Sequence, residues 1–221
     1  MFDDLNATFF KFALPFYSVN FETLLSKIIN CYQMMIEDDV SLRNDENSIR
    51  DVLLLSYLKD NMIRRKLSIM HWQFEREVQE KHSVGRTDIK VTSVNNLLNQ
   101  EAYYTFECKR LDDKNLSKTY GLNGKYIKDG IKRFTDKYYL SHYRVNAMIG
   151  FVVKKININT NILEINKLLK GSFSQIKTET NLVQSDIVKG FEHLYESNHL
   201  DIDNDRLKIY HLMFDFSDNM S

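Results

Sequence analysis

Asp88, Glu107 and Lys109 are the residues whose types and spacing could do chemistry together. Glu107 and Lys109 stand two apart in YYTFECKRL, residues 103–111, where Tyr103, Tyr104, Thr105 and Phe106 are strong strand formers. Side chains alternate faces along a strand, so Tyr104, Phe106 and Cys108 are expected on one face and Glu107 and Lys109 on the other. Asp88 lies in TDIKVTS, where Asp88, Lys90 and Thr92 alternate against Ile89 and Val91. If the two strands pair, two carboxylates and one ammonium converge on one side of a sheet. Two hard oxygen ligands suit Mg²⁺ or Mn²⁺, with the remaining positions taken by water, a phosphate oxygen and a backbone carbonyl. Such an ion lowers the pKa of a bound water and stabilises charge on a phosphorane-like transition state. A lysine two residues after the ligand would orient the attacking water or help to stabilise the negative charge.

These side chains depend on the elements that carry them. Leu24, Ile28, Cys31, Tyr32, Met35 and Ile36 form a helical stripe. After the polar VSLRNDENS, a second helix is expected through ENSIRDVLLLSYLKDNMIRRKL, with Ile49, Leu53 and Tyr57 at helical spacing. Glu46 stands at its start in phase with Ile49 and Leu53, so its side chain leaves on the inward side. The period then changes to two. HWQFEREVQ alternates Trp72, Phe74, Arg76 and Val78 against Gln73, Glu75 and Glu77, and KHSVGR is a turn signal around Gly85. With TDIKVTS and YYTFECKRL it makes three successive strands, an antiparallel meander.

A helix is expected from about Gly124, with Ile127, Ile131 and Phe134 as its apolar stripe. VNAMIGFVV, a continuous apolar run, has the signature of a buried central strand. NTNILEINKLLKG is a helix stopped by Gly171, and the tail reads as two strands around a turn rich in Asp and Asn. This order of elements is that of an α/β or α+β domain with a mixed central sheet flanked by helices.

Composition narrows the class. A chain of 221 residues with 43% hydrophobic and 12% aromatic residues is globular, and is long enough for one domain with a substantial core. Formal net charge is zero, so an acidic partner must be met by a local patch rather than by bulk charge. Cys31 and Cys108 make no disulfide framework and fit a reducing cytoplasm, with Cys108 as a small core residue. The opening MFDDLNATFFKFALPFY carries Asp3 and Asp4 and lacks a basic region, unlike a signal peptide. No apolar run reaches membrane-spanning length.

Asp88 in GRTDIKV, Glu107-Cys108-Lys109 in FECKRL and an upstream helix bearing Glu46 resemble the PD-(D/E)XK phosphodiesterase superfamily, the restriction-endonuclease-like fold. The succession of helix, three-strand meander, helix and strand over residues 45–155 is similar to that core. On this basis residues 1–44 are a helical extension, 45–155 a nuclease-like core, and 156–221 a helix plus terminal hairpin of the same domain. The resemblance implies a metal-dependent endonuclease, with Asp88 and Glu107 as metal ligands, Lys109 acting on water and Glu46 as an accessory acid. It implies restriction, phage-defence or repair settings. Thr87 stands where the family usually has proline before the first acid.

The stretch from Lys118 to Arg144 carries seven basic residues against two acidic ones, interleaved with Tyr120, Tyr126, Phe134, Tyr138, Tyr139 and Tyr143. Basic and aromatic residues together suit phosphate contact and base stacking. Lys125, Lys128, Lys132 and Arg133 are therefore the expected nucleic-acid contacts, with DNA as the partner and RNA as its alternative. A homo-oligomer or an operon-encoded protein partner is compatible with this assignment.

Four rival readings stay open. Glu107 and Lys109 form a solvated ion pair on an outer strand face, worth roughly 0–1 kcal/mol. The register shifts to Asp88-Ile89-Lys90, with Glu75 or Glu77 as the first acid. The chain is a non-catalytic nucleic-acid-binding or protein-interaction subunit that keeps the fold. Finally, His199 and His211 meet across the terminal hairpin near Ser197, as structural histidines rather than as a site.

Overall fold

The computed structural model describes residues 13–79, 86–97, 99–139 and 141–221. The first twelve residues of the N-terminal segment compared with a signal peptide, and the turn around Gly85, lie outside the described residues. Three strands make the middle of the sheet: β3 (Tyr103–Leu111), β4 (Val145–Val152) and β7 (Arg206–Asp215). β4 is buried along its whole length, as its unbroken apolar run requires. It pairs in parallel with both β3 and β7.

β1 (Gln73–Gln79) and β2 (Arg86–Thr92) extend the sheet beyond β3 as an antiparallel meander. β6 (Leu194–Leu200) and β5 (Thr178–Gln184) extend it beyond β7, also antiparallel. The result is a seven-stranded mixed sheet in the order β1-β2-β3-β4-β7-β6-β5.

Helices cover both faces. α1 (Ala13–Glu37) presses Phe21, Leu24 and Ile28 against a sheet face that includes Phe106, Ile149 and Leu212. α2 (Glu46–Asp51) joins the same core through Ile49. The opposite face, with Met148, Val152 and Ile209, is covered by α4 (Leu122–Tyr126), α5 (Lys132–Thr135) and α6 (Ile158–Lys170). The fold is thus a mixed α/β sheet between two helical layers.

Three elements depart from sequence expectation. The second helix is not continuous. It widens to π geometry over Val52–Leu58, and a new helix α3 (Asn61–Lys66) starts where the Asp60 carboxylate accepts the N–H groups of Met62 and Ile63. The helix after β3 ends at Thr135, close before Lys137, which has φ of 54°. β5 was not anticipated, because TETNLVQ buries only Leu182 and lies at the sheet edge, where no apolar alternation is needed. Among the described residues no helix is long and apolar enough to cross a membrane.

The terminal histidines do meet, inside the core. The Ser197 hydroxyl lies 2.8 Å from Nε2 of both His199 and His211. His211 Nδ1 is 2.9 Å from the Tyr126 hydroxyl, and His199 Nδ1 is 3.1 Å from the Thr178 hydroxyl. Every ring nitrogen has a partner, which is what lets two imidazoles stay buried. Burial lowers His199 to about 4 and holds His211 well below the ordinary histidine range, with the charge of His199 as a further cause.

Both folded values lie below the unfolded value near 6.5, so below that pH the unfolded chain binds more protons than the native one. Stability is therefore expected to fall as pH drops from about 6.5 towards 4, with both histidines contributing in that direction. Urea unfolding across that range should show the loss, with a shallower decline in His199→Gln. Equal slopes would mean that His199 does not contribute.

Candidate active site

The site begins where two strands part. β2 and β3 pair from Thr92–Tyr103 to Ile89–Phe106, and there the ladder ends, although β2 continues along β1 to Arg86. In continuing register Cys108 would face Thr87. Instead the Cys108 N–H donates to Asp88 Oδ2 at 2.8 Å. The aspartate side chain thus stands in for a strand partner, satisfying a buried amide at the point of separation. The gap leaves Asp88 and Glu107 on the same side of the sheet, the side covered by α4 and α5.

Lys109 fills the space between them. Its ammonium donates to Glu107 Oε1 at 2.8 Å, Glu46 Oε1 at 3.1 Å and the Cys108 carbonyl at 2.6 Å. These bonds use its three N–H donors, and Asp88 Oδ2 stands 3.8 Å away as a charge contact. Glu46 reaches the site from the first turn of α2, whose N-cap is Asp45, and its other oxygen accepts the N–H of Arg110 at 3.0 Å. Glu46, Asp88, Glu107 and Lys109 therefore form one cluster. Glu107 is fully buried and Lys109 is 8% exposed, so the pair is not a solvated bridge on an outer face.

Burial and the nearby Asp88 charge push the Glu107 carboxyl up to about 7, against the pull of Lys109 and Arg133. For Lys109, burial favours the neutral amine, but Glu107, Asp88 and Glu46 outweigh it and hold the ammonium. Burial also raises the Cys108 thiol well above its ordinary range, which fits a core cysteine rather than a nucleophile.

Two further side chains close over Glu107. The Tyr139 hydroxyl donates to Oε2 at 2.7 Å, and Arg133 Nη1 donates to Oε1 at 2.8 Å and to the Tyr139 hydroxyl at 3.0 Å. Arg133 thus turns inward, away from the outer row in which it was grouped with the lysines. The helix widens to π geometry over Ile127–Ile131, a device frequent near functional sites. Gly130 allows the close approach, since a Cβ there would lie 2.3 Å from Met148 Cε and 3.8 Å from the Lys109 stem.

Lys125 and Lys128 are exposed, and Lys132 pairs with Asp136. The aromatic residues of this stretch divide differently from expectation. Tyr126 and Phe134, through which the helix docks, and Tyr139 beyond its end are buried on the α4–α5 face. Tyr143 is buried in the core of the opposite face against Tyr104, Tyr120 is exposed and Tyr138 is half-buried. Lys90 places its ammonium 3.9 Å over the Tyr103 ring and pairs across the ladder with Thr105. Glu77, the other acid of the shifted register, accepts from Arg50 at 2.9 Å.

An open cleft of about 300 Å³ lies above the cluster, lined by Glu46, Lys109, Arg110, Lys125, Asp129 and Arg133. A second hollow of about 260 Å³, over Lys128, Lys132, Tyr138 and Phe173, shares Asp129 and Arg133 with it. Among the described residues no three His, Cys, Asp or Glu side chains form a ready-made metal cage. Asp88 and Glu107 offer two hard oxygen donors that already converge on one cation, the Lys109 ammonium. That set fits Mg²⁺ or Mn²⁺, which keep several waters and need only one or two carboxylates.

Tyr139 and Arg50 carry no local signal that marks them as site residues: in sequence one is an aromatic in a basic stretch and the other a helix arginine.

If the cluster is held by the Lys109 charge, Lys109→Met should destabilise the fold by roughly 3 kcal/mol, because buried carboxylates lose their shared partner. Adding Glu107→Gln should recover part of that loss in urea unfolding. An unchanged midpoint in the single variant would mean the cluster contributes nothing to folding.

Comparisons of the chain with protein-family models, with curated proteins and with solved structures gave no match, so its chemistry has to be argued from this geometry.

Proposed function

We propose that this chain is a divalent-metal-dependent nuclease of the PD-(D/E)XK kind, hydrolysing phosphodiester bonds of DNA. The observation that carries the reading is the convergence of Glu46, Asp88 and Glu107 on Lys109 beneath an open cleft bordered by basic side chains. The succession of α2, β1–β2–β3, α4–α5 and β4 across residues 45–155 supports a restriction-endonuclease-like core.

In this reading Asp88 and Glu107 hold Mg²⁺ or Mn²⁺, and Glu46 is the accessory acid. The ion, when bound, supplies positive charge against the developing negative charge of the transition state. Lys109, anchored by Glu46, orients the water that attacks phosphorus or sits against the phosphate's negative charge. Tyr139 keeps Glu107 aimed into the site, and its hydrogen bond fixes the carboxylate plane. Lys125 and Arg133 border the cleft where the phosphate backbone would lie, and Lys128 and Lys132 continue that border. The cytoplasmic setting, the restriction or phage-defence context and any protein partner belong to the same proposal.

A second reading, a non-catalytic nucleic-acid-binding or protein-interaction subunit, has its own observation. Lys109, Arg133 and Arg50 already neutralise the carboxylates without any ion.

Cleavage assays on single- and double-stranded DNA and RNA with Mg²⁺ or Mn²⁺ test the two. Wild type should cut, and Asp88→Asn and Glu107→Gln should each lose about a hundredfold or more, the several kcal/mol that metal charge supplies. Lys109→Met should be inactive and Lys90→Ala close to wild type; the reverse ranking would move the site to the Asp88-Ile89-Lys90 register. Binding without cleavage in every metal would favour the non-catalytic module, and no nucleic-acid binding at low salt the protein-interaction subunit.

The lysine row makes a separate prediction. Replacing Lys125 and Lys128 together with Ala should weaken binding to all sequences about equally. The slope of log affinity against log salt should fall by roughly 0.7–0.9 for each lost phosphate contact. An unchanged slope would place the nucleic acid elsewhere.

A further inference from the structure

Arg50 is a buried arginine to which the mechanism above gives no step. It lies one turn after Glu46 on α2 and is only 2% exposed. Its Nη1 donates to Asp88 Oδ1 at 3.1 Å, and its Nη2 to Glu77 Oε1 and Asp51 Oδ1, both at 2.9 Å. Its Nε donates to Asp51 Oδ1 at 3.1 Å. A guanidinium presents its donors in a rigid planar fork, so three carboxylates held at once leave it little freedom to turn.

The anchors of this fork are themselves held. Arg76 from β1 pairs with Asp51 at 2.7 Å, and Arg86 from β2 approaches Glu77 at 3.6 Å. Glu77 has φ of 49° within β1, a left-handed conformation that a residue with a side chain adopts only where its surroundings impose it. Beside it Asp88 is bound at both oxygens, Oδ1 by Arg50 and Oδ2 by the Cys108 amide. Each carboxylate oxygen has a further lone pair, and the two clamps decide where those lone pairs point.

We propose that Arg50 is the positioning residue of this site: its guanidinium, anchored by Glu77 and Asp51, sets the orientation in which Asp88 ligates a divalent ion beside Glu107. The inference rests on the metal-dependent reading above. Lysine at position 50 would keep a charge near Asp88 but lose the planar fork, so charge and geometry can be separated.

The test is Mn²⁺ binding to the full chain without nucleic acid, followed by isothermal titration and by the electron paramagnetic resonance signal of free Mn²⁺. Wild type is expected to bind, and Arg50→Lys to bind about 10–100-fold more weakly, as when a group that orients a ligand is removed. Glu77→Gln should weaken binding in the same direction by less, and it serves if Arg50→Lys fails to fold by circular dichroism. Ile165→Val, a core change on α6, should lower stability while leaving Mn²⁺ affinity unchanged, separating positioning from stability. If wild type binds Mn²⁺ and cuts DNA, but Arg50→Lys or a folded Glu77→Gln binds equally well, positioning by Arg50 is overturned and the nuclease reading stands. If wild type shows no Mn²⁺ binding at millimolar concentration, both fall together.

Discussion

The ammonium of Lys109 holds together what would otherwise repel. Glu46, Asp88 and Glu107 come from a helix and two strands, and like charges so close cannot remain ionised out of water without a cation among them. Its stem passes along α4–α5 beside Gly130, so the lysine also ties the buried charges to the helix that covers them. Removing the charge would leave the buried Glu107 with Arg133 as its one cation, and loss of a partner from a buried ion pair is costly.

The charged side chains sit in layers around this centre. Arg133 and Tyr139 close over Glu107 from the helix side, and Arg50 closes over Asp88 from α2. Asp88 and Glu107 therefore each have an arginine and a share of Lys109, while Glu46 has Lys109 and the Arg110 amide. Glu107, the deepest, has the weakest hold on its charge, because burial and Asp88 oppose what Lys109 and Arg133 supply. Any additional positive charge placed beside Glu107 would favour its ionised form. β2 and β3 part at Asp88, and its side chain replaces the missing rung.

Much of the fold was legible in periodicity. YYTFECKRL is a strand whose alternation placed Glu107 and Lys109 on one face, and VNAMIGFVV is the fully buried strand beside it. Both follow from local rules, because a strand's faces are fixed by a period of two and a buried strand must be apolar throughout. The antiparallel meander followed from the same rules. Polar edge strand β5 was invisible, since an edge exposed to water imposes no apolar pattern. The break before α3 depended on Asp60 as a cap within an apolar run that otherwise favoured one helix.

For the site, the sequence by itself determined which residues share a face: Asp88 with the charged side of β2, Glu107 and Lys109 with that of β3, and Glu46 with the inward side of α2. What only the tertiary structure decided were the distances and the burial. Arg50 looks like any helix arginine until β1 and β2 bring Glu77 and Asp88 to its fork, and Tyr139 looks like a stacking ring until the segment after α5 brings its hydroxyl onto Glu107. Arg133, grouped by sequence with the lysines, is drawn inward by a buried carboxylate that no local pattern reveals. The reason is physical: periodicity fixes the direction of a side chain relative to its own backbone, while the partner it meets depends on how separate elements pack and where a strand ladder ends.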